Sequence, residues 1–528
     1  MWCRLLKKYY RRMSSCFRWG VSVGRFSVLC AAVAMAMAME TGTVHAQTAS
    51  LIIPRPKQMT VEPAQAAFNI GAHTRLIVRE GATEEDRRGA RLLQAEIQAQ
   101  FGIQAPIEAA GSGALEDAIL FGEAGAAGGE LGRRLAAASA PDKPEGYAVV
   151  VSPTGVTVAG HDTAGTLWGA ETVIQLLGRG RKGAMVRPVA VHDWPTLRLR
   201  AVHLFHGQNA LPFQEKLIER VLTRFKMNGL FIQAEQVRWD ADPEVAPKWA
   251  GTKAQIREEI GFARARGMTL YPLIEGYGHM EWLFNRERNR DFAEDPETPY
   301  AVDFSNPAAV AYLDRFVGEA ADLFGAPALH VGLDEVTMRG RFPYRSKPQS
   351  YSDLIVGAVN HWHDLLAKRG MQTWMWADMA LDHADVAPDW GSAPTAADAA
   401  RVRDGIPKDT VMVDWQYGDL PKYPSLRRLK DAGFTNIVAA TWFAPEDIRK
   451  FTRAAAGIGA LGAIQTTWAG YESNESVLAT KERRQFEAMV LAADYFWNGG
   501  EGPAPSDLPY DPAKVFARQW QAPASARK

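Results

Sequence analysis

The stretch Ala328-Leu-His-Val-Gly-Leu-Asp-Glu-Val336 runs an apolar strand into two adjacent carboxylates, Asp334 and Glu335, just past a glycine. Paired carboxylates suit sugar chemistry, in which one acid gives a proton to a leaving oxygen while another stays ionised beside a developing positive charge. Such a pair is also common as solvated charge at the end of an element, so its setting decides its meaning. The run is the fourth of eight strand-like segments that alternate with helical ones. The pattern predicts strands over 201–205, 229–235, 269–275, 328–335, 373–379, 410–417, 437–443 and 460–468. Between the first four, apolar residues recur at helical spacing: Leu217, Val221 and Phe225, then Ile256, Ile260 and Ala263, then Val310, Leu313, Phe316 and Val317. Eight strands alternating with helices predict a parallel sheet closed into a (βα)8 TIM-type barrel over 194–498. An open doubly wound sheet is the alternative, but no glycine-rich phosphate turn recommends it.

The chain has 528 residues, enough for such a barrel and a second domain, and its 47% hydrophobic and 23% charged content is that of a globular enzyme. Its first 25 residues hold Arg4, Lys7, Lys8, Arg11, Arg12, Arg18 and Arg25; an apolar run from Phe26 to Met39 follows, then the small-residue site Val44-His45-Ala46. This reads as a secretory signal peptide over 1–46, cleaved after Ala46, with an apolar run too short to span a bilayer. An exported, periplasmic or extracellular protein is expected, with no membrane attachment after cleavage. Cys3, Cys16 and Cys30 all lie in that leader, so the mature chain would have no disulfide and no thiolate metal ligand. Cleavage takes seven of the 60 basic and one of the 60 acidic residues, leaving 53 against 59, a net charge of −6. That balance argues against nucleic acid as a partner.

Residues 47–193 read as a separate small α/β sandwich domain. A proline-broken edge strand opens it at 52–56, a helix follows over 84–100, and 147–158 forms a hairpin followed by a helix over 167–177. The basic glycine-rich run 178–183 reads as a linker or loop, and a strand over 186–191 leads to the barrel. Residues 499–528 are a proline-rich C-terminal tail with a helix-like piece at 513–520.

In a barrel of this kind the site forms at the carboxyl ends of the strands. Those ends carry Glu235, Glu275 with His279, Asp334 with Glu335, Trp376 with Asp378, Trp415 with Tyr417, Trp442, and Trp468 with Tyr471 and Glu472. Sugars present apolar C–H faces to indole rings and hydroxyls to carboxylates, so this mixture points to a carbohydrate pocket. A single tryptophan there could equally lid the barrel core, and His279 could be a structural histidine. Four tryptophans at four strand ends weigh against that reading. Glu275, His279 and Asp334 could in principle join a metal, but the second histidine such a site would want is missing. No metal and no cofactor are expected. Neighbouring side chains on a strand point to opposite faces, so Asp334 and Glu335 can share a ligand only if the chain bends where the strand ends; Gly332 can supply the bend.

The segments Tyr271-Pro-Leu-Ile-Glu-Gly-Tyr-Gly-His-Met-Glu281, Leu329-His-Val-Gly-Leu-Asp-Glu-Val336 and Trp376-Ala-Asp-Met379 resemble glycoside hydrolase family 20, the β-N-acetylhexosaminidases, with the hexosaminidase-D-like branch closest. The resemblance covers about 199–498. Ile53-Pro-Arg-Pro56 and Gly165-Thr-Leu-Trp-Gly169 resemble the non-catalytic α/β domain that often precedes that barrel. It implies an exo-acting, retaining hydrolase that releases terminal β-linked N-acetylhexosamine, with the substrate's own acetamido oxygen as nucleophile. Glu335 would be acid and base, and Asp334 would orient the acetamide. Glu275 and His279 would support the acid. Trp376, Trp415 and Trp468 would wall the sugar, joined by Trp442, while Asp378 and Glu472 would bond its hydroxyls. The chain departs from the family pattern in three places. His203-Leu-Phe-His-Gly-Gln-Asn209 stands where an arginine usually binds sugar hydroxyls, Phe231-Ile-Gln-Ala-Glu-Gln236 stands for the usual His-x-His and Asp pair after the second strand, where Glu235 would substitute, and Trp442-Phe443 stands for the usual Trp-Tyr, leaving Tyr417 and Tyr471 as candidates for the acetamide-binding tyrosine. A sugar-binding protein without turnover, or a glycosidase for another amino sugar, are the competing expectations.

Overall fold

The computed structural model describes residues 52–523, except 112–114, 126, 181–182, 384, 386–389 and 473. The expected leader, 1–46, lies outside the described residues.

Eight parallel strands close into a barrel: Leu199–Phe205, Gly229–Gln233, Thr269–Leu273, Ala328–His330, Gln372–Trp376, Val411–Trp415, Ile437–Thr441 and Gly462–Gln465. Each pairs with the next, and the last returns to the first through Val202 opposite Gln465. Their inward side chains, among them Ala201, Phe231, Leu273, Trp374, Trp376, Val413 and Ile464, form one apolar cluster. Outward residues pack under the helices in a second and larger one. Local signals set the crossover helices. Thr252 and Gln255 form a reciprocal capping box before Lys253–Arg264, and Pro307–Phe324 starts on an Asn306 cap and stops at Gly325 in the left-handed region. Among the described residues no helix is long and apolar enough to cross a membrane.

Seven of the eight strands stop short of their sequence-predicted ends, by two to five residues. The fourth differs most, ending at His330 because Gly332, Leu333 and Glu335 take positive φ values of 66°, 68° and 48°. Except for Trp376 and Trp415, which end their strands, the polar and aromatic strand-end residues therefore stand on the loops that leave the barrel.

Before the barrel lies a mixed sheet of seven strands in the order Gln58–Val61, Val189–Asp193, Tyr147–Ser152, Gly155–Gly160, Ala118–Glu123, Arg75–Val78 and Ile107–Ala109. Helices Glu84–Phe101, Gly129–Ala137 and Thr163–Leu176 accompany it. Two expectations are corrected here. Residues 52–56 form no edge strand, since the N–H of Ile53 bonds the Gln175 side chain and that of Arg55 bonds Asp494. The basic run is not a linker either: Gly178–Gly180 pairs with Gly183–Val186, which pairs in turn with Phe68–Ile70.

Three buried cations fasten this sheet domain to the barrel. Arg200, on the first barrel strand, reaches Glu145 at 2.6 Å. Arg224 pairs at 2.9 Å with both Glu96 and Glu171 from two helices of the sheet domain. Lys226 places its ammonium 5.5 Å and 5.1 Å from the Tyr147 and Trp497 ring centres, and burial lowers it to about 8.

The C-terminal tail is not a loose extension of the barrel. Its helix, Pro512–Trp520, buries Val515 and Phe516 in the barrel's outer cluster and sets Trp520 5.3 Å from Phe213. Phe516 is 0% exposed, so Phe516→Ala should cost about 3–5 kcal/mol. Chemical denaturation checks this; an unchanged midpoint would mean that the tail adds nothing to the fold.

Candidate active site

The site forms around the bend that follows the fourth barrel strand. The bend rests on His330, whose Nδ1 accepts the Gly332 N–H at 3.0 Å. Burial lowers His330 to about 3, which keeps that ring nitrogen unprotonated and free to accept. Gly332 combines a left-handed φ with a close approach, because a Cβ there would lie 1.7 Å from the Glu275 carboxylate.

The bend brings Asp334 and Glu335 to one side chain. His279 Nε2 lies 3.4 Å from Asp334 Oδ2 and 3.3 Å from Glu335 Oε2. The expectation that a bend is needed for the two acids to share a target matches this geometry. Glu335 is fixed through its backbone: its N–H donates to Asp378 Oδ2 at 2.9 Å, and its carbonyl accepts the Tyr300 hydroxyl at 3.2 Å. Its side chain remains 31% exposed, against 12% for Asp334. One carboxyl can meet an incoming group while the other is held inside.

Charge is unevenly shared among the surrounding acids. Burial opposes ionisation of both Asp334 and His279, yet their mutual attraction wins, holding Asp334 below the ordinary carboxyl range and His279 well above the ordinary imidazole value. Glu275 goes the other way, raised well above its ordinary value by burial and then by repulsion from Asp334. Asp378 is raised to about 7 by burial and the same repulsion. Burial raises Glu235 to about 7, against the hydrogen bonds of the Tyr471 hydroxyl and the Glu275 N–H. The result is one ionised carboxylate and one imidazolium among acids that favour their protonated forms.

The remaining sequence-predicted residues take different places. Glu235 is 2% exposed and accepts the Glu275 N–H at 2.9 Å and the Tyr471 O–H at 2.7 Å. Asp378 is equally engaged, by Glu335, by Ser392 Oγ at 2.5 Å and by Trp415 Nε1 at 3.2 Å. The half-buried aromatics form the wall: Trp415 stands 5.3 Å from Tyr417, Tyr417 stands 5.6 Å from Trp442, and the Trp468 indole donates to the Tyr417 hydroxyl at 3.0 Å. Trp376 is 1% exposed, part of the barrel's inner layer, 6.0 Å beneath Trp468. Glu472 lies in a short 3-10 turn, Gly470–Glu472, and its side chain lies outside the described residues.

Several contributors are missed by sequence reasoning. Trp390 packs edge-on against Trp415 and Tyr417 at 5.1 Å and 5.4 Å. Gln485 accepts from the Trp442 indole and the Trp468 backbone, tying two walls together. Tyr300 packs edge-on against His279 at 5.2 Å. Trp390 and Tyr300 sit in irregular loops and Gln485 inside an ordinary helix, so no periodicity or motif marks them. His279, Asp334 and Glu335 also offer three ligand atoms within 4.8 Å of one another, the group of this kind found among the described residues that could hold a cation.

Residues 49–194 match the family model for glycosyl hydrolase family 20, domain 2. Over these residues the chain is similar to glycoside hydrolase family 20. Among family 20 and related proteins, lacto-N-biosidase of Bifidobacterium bifidum is 23% identical over 261 residues, covering 46% of this chain and 23% of that one. Human hexosaminidase D is 25% identical over 153 residues, 27% of this chain and 30% of its own. The chain thus spans about a quarter to a third of the length of these relatives. The family 20 β-N-acetylhexosaminidase structure from Streptomyces coelicolor superposes with a TM-score of 0.65 at 18% identity, over 89% of this chain and 96% of that one, and so shares the fold.

The sign of the Glu235 shift sets a pH dependence for stability. An acid raised from 4.5 to about 7 by the fold contributes fully below 4.5, and that contribution is lost as pH rises through about 7. Glu235→Gln, a neutral isostere, should flatten the decline of Tm between those values. Parallel Tm profiles for parent and variant would show that Glu235 does not titrate there.

Proposed function

We propose that this protein is an exo-acting, retaining hydrolase that releases terminal β-linked N-acetylhexosamine from glycans or glycosides, with the acetamido oxygen of the substrate as nucleophile. The observation that carries this reading is the convergence of Asp334 and Glu335 on His279 at the carboxyl end of the fourth barrel strand. The names of the related proteins, β-hexosaminidases and hexosaminidase D, support the substrate class.

The ion pair of Asp334 and His279 underlies the first step. His279 keeps Asp334 ionised, so Asp334 can accept the acetamido N–H and steady the positive charge that develops as the carbonyl oxygen closes on the anomeric carbon. Glu335, the more exposed carboxyl, protonates the departing glycosidic oxygen and then takes a proton from the water that opens the cyclic intermediate. No protein nucleophile is needed, a recognised exception among glycosidases. Between the two candidate tyrosines the hydrogen bonds favour Tyr417. Its hydroxyl accepts from Trp468, which leaves its own proton for the acetamido carbonyl, whereas the Tyr471 proton is given to Glu235. Trp415, Trp442 and Trp468 supply the faces against which the sugar ring stacks. The basic, then apolar, leader over 1–46 supports export of the enzyme.

Glu335→Gln should keep the fold and lower kcat by about 10²–10⁴-fold on an unactivated N-acetylhexosaminide. Asp334→Asn should lose turnover as well. A thiazoline analogue of the cyclised intermediate should inhibit competitively; an active enzyme indifferent to it would exclude participation of the acetamide. Chromogenic glucosaminide and galactosaminide substrates, with free-amine controls, distinguish a hydrolase from a protein that only binds sugar.

A further inference from the structure

We propose that a divalent transition-metal ion, Zn2+ foremost, binds across His279, Asp334 and Glu335 and holds the site in an inactive form. The binding follows from the geometry alone; its effect on turnover rests on the hydrolase reading above and extends it to regulation of the same site.

Among the described residues, these three form a group whose ligand atoms all lie within 4.8 Å of one another. The finer spacing suits one kind of ion. Zinc held at about 2.0–2.1 Å by ligands at tetrahedral angles keeps those ligand atoms about 3.3–3.4 Å apart. His279 Nε2 stands 3.4 Å from Asp334 Oδ2 and 3.3 Å from Glu335 Oε2, so both edges that meet at the imidazole already have the right length. Asp334 has capacity for a further partner, because its other oxygen, Oδ1, is buried without a hydrogen-bond partner among the described residues. Glu335, the more exposed carboxyl, can turn to close the third edge. One imidazole and two carboxylates leave a fourth position for water, as zinc sites with three protein ligands do. The nitrogen ligand favours zinc or copper, whereas calcium takes six to eight oxygens and magnesium demands a near-ideal octahedron.

The cradle is assembled in advance. The loop that bears His279 is fastened on both sides, by the Val302 N–H to the Tyr277 carbonyl at 3.0 Å and by the Met280 N–H to the Tyr300 carbonyl at 2.9 Å. Between these bonds, Gly278 lies so close to the bend that a Cβ there would come within 2.7 Å of the Asp334 carbonyl oxygen and 3.1 Å of the Val336 Cα. The loops after the third and fourth strands therefore present their ligands at a fixed separation, which lowers the ordering cost when an ion arrives. The ion takes the place of the proton that His279 shares with the two acids, and that proton leaves to solvent. It brings two positive charges where the proton brought one. Held in this way, Glu335 has no proton to give the glycosidic oxygen, and Asp334 is turned to the metal instead of to the acetamido N–H. Zinc and substrate exclude each other.

Calorimetric titration of the chelator-treated full chain with zinc chloride should show one high-affinity site. Zinc should also raise Tm and inhibit competitively against a chromogenic N-acetylhexosaminide, while Mg2+ at the same concentration should do neither. His279→Gln and Glu335→Gln should each weaken zinc binding by about a hundredfold. His363→Gln, which removes an imidazole paired with Asp409 on the crossover helix Tyr351–Ala367, should leave it unchanged. If His279→Gln misfolds, Glu335→Gln decides. No calorimetric site, or equal zinc affinity in the parent and these active-site variants, overturns the metal site. Zinc bound at these residues with undiminished turnover overturns the inhibition. Zinc binding that the variants lose, in a protein that hydrolyses no substrate, supports the metal site and overturns the hydrolase reading instead.

Discussion

One imidazole between two carboxylates organises this end of the barrel. Without His279, Asp334 would be a buried anion a short distance from Glu275, Glu335 and Asp378, and like charges at such range in a low-dielectric pocket cannot all persist. With it, the charge resolves into one ion pair beside Glu275 and Asp378, which burial pushes toward their protonated forms. The bend at 332–335 has value only because this partner waits across it, on the loop after the third strand. The buried histidine under the bend, His330, acts from below by receiving the Gly332 N–H.

The other acids are therefore better seen as a frame than as a row of equivalent groups. Glu235 receives the backbone of Glu275 and the hydroxyl of Tyr471; Asp378 receives the backbone of Glu335 and the indole of Trp415. Each ties the ends of separate strands together. An acid in such a place fixes distances between loops, which strands alone leave free, and its raised pKa is the price of doing so without water.

Much of this was legible in the letters. The alternation of strand and helix gave the barrel, and the carboxylate pair gave the place to look, because apolar periodicity records which faces are buried. Strand ends were overrun since an apolar residue in a buried loop, such as Leu333, looks the same as one in a strand. What reverses the chain there is φ, which only Gly332 announces. The edge strand assigned to 52–56 failed for a related reason: its buried isoleucines carry a strand's composition, but Gln175 and Asp494, far away in sequence, take its backbone hydrogen bonds. Partners such as Ser392, Gln485 and Trp390 are polar or aromatic residues in ordinary settings, and their meaning comes from contacts made across the barrel mouth.

The three cations at the base carry a consequence for the architecture as a whole. Arg200, Arg224 and Lys226 belong to the barrel, but Glu145, Glu96, Glu171 and the Tyr147 ring that neutralise or cradle them belong to the preceding sheet and its helices. A barrel expressed from about residue 194 would keep every acid at its mouth, yet Arg224 would lose Glu96 and Glu171, and Arg200 and Lys226 would keep only barrel partners such as the Trp497 ring. The sheet domain thus supplies the counter-ions of the barrel's buried arginines, and the two stretches of chain are matched in charge across their contact.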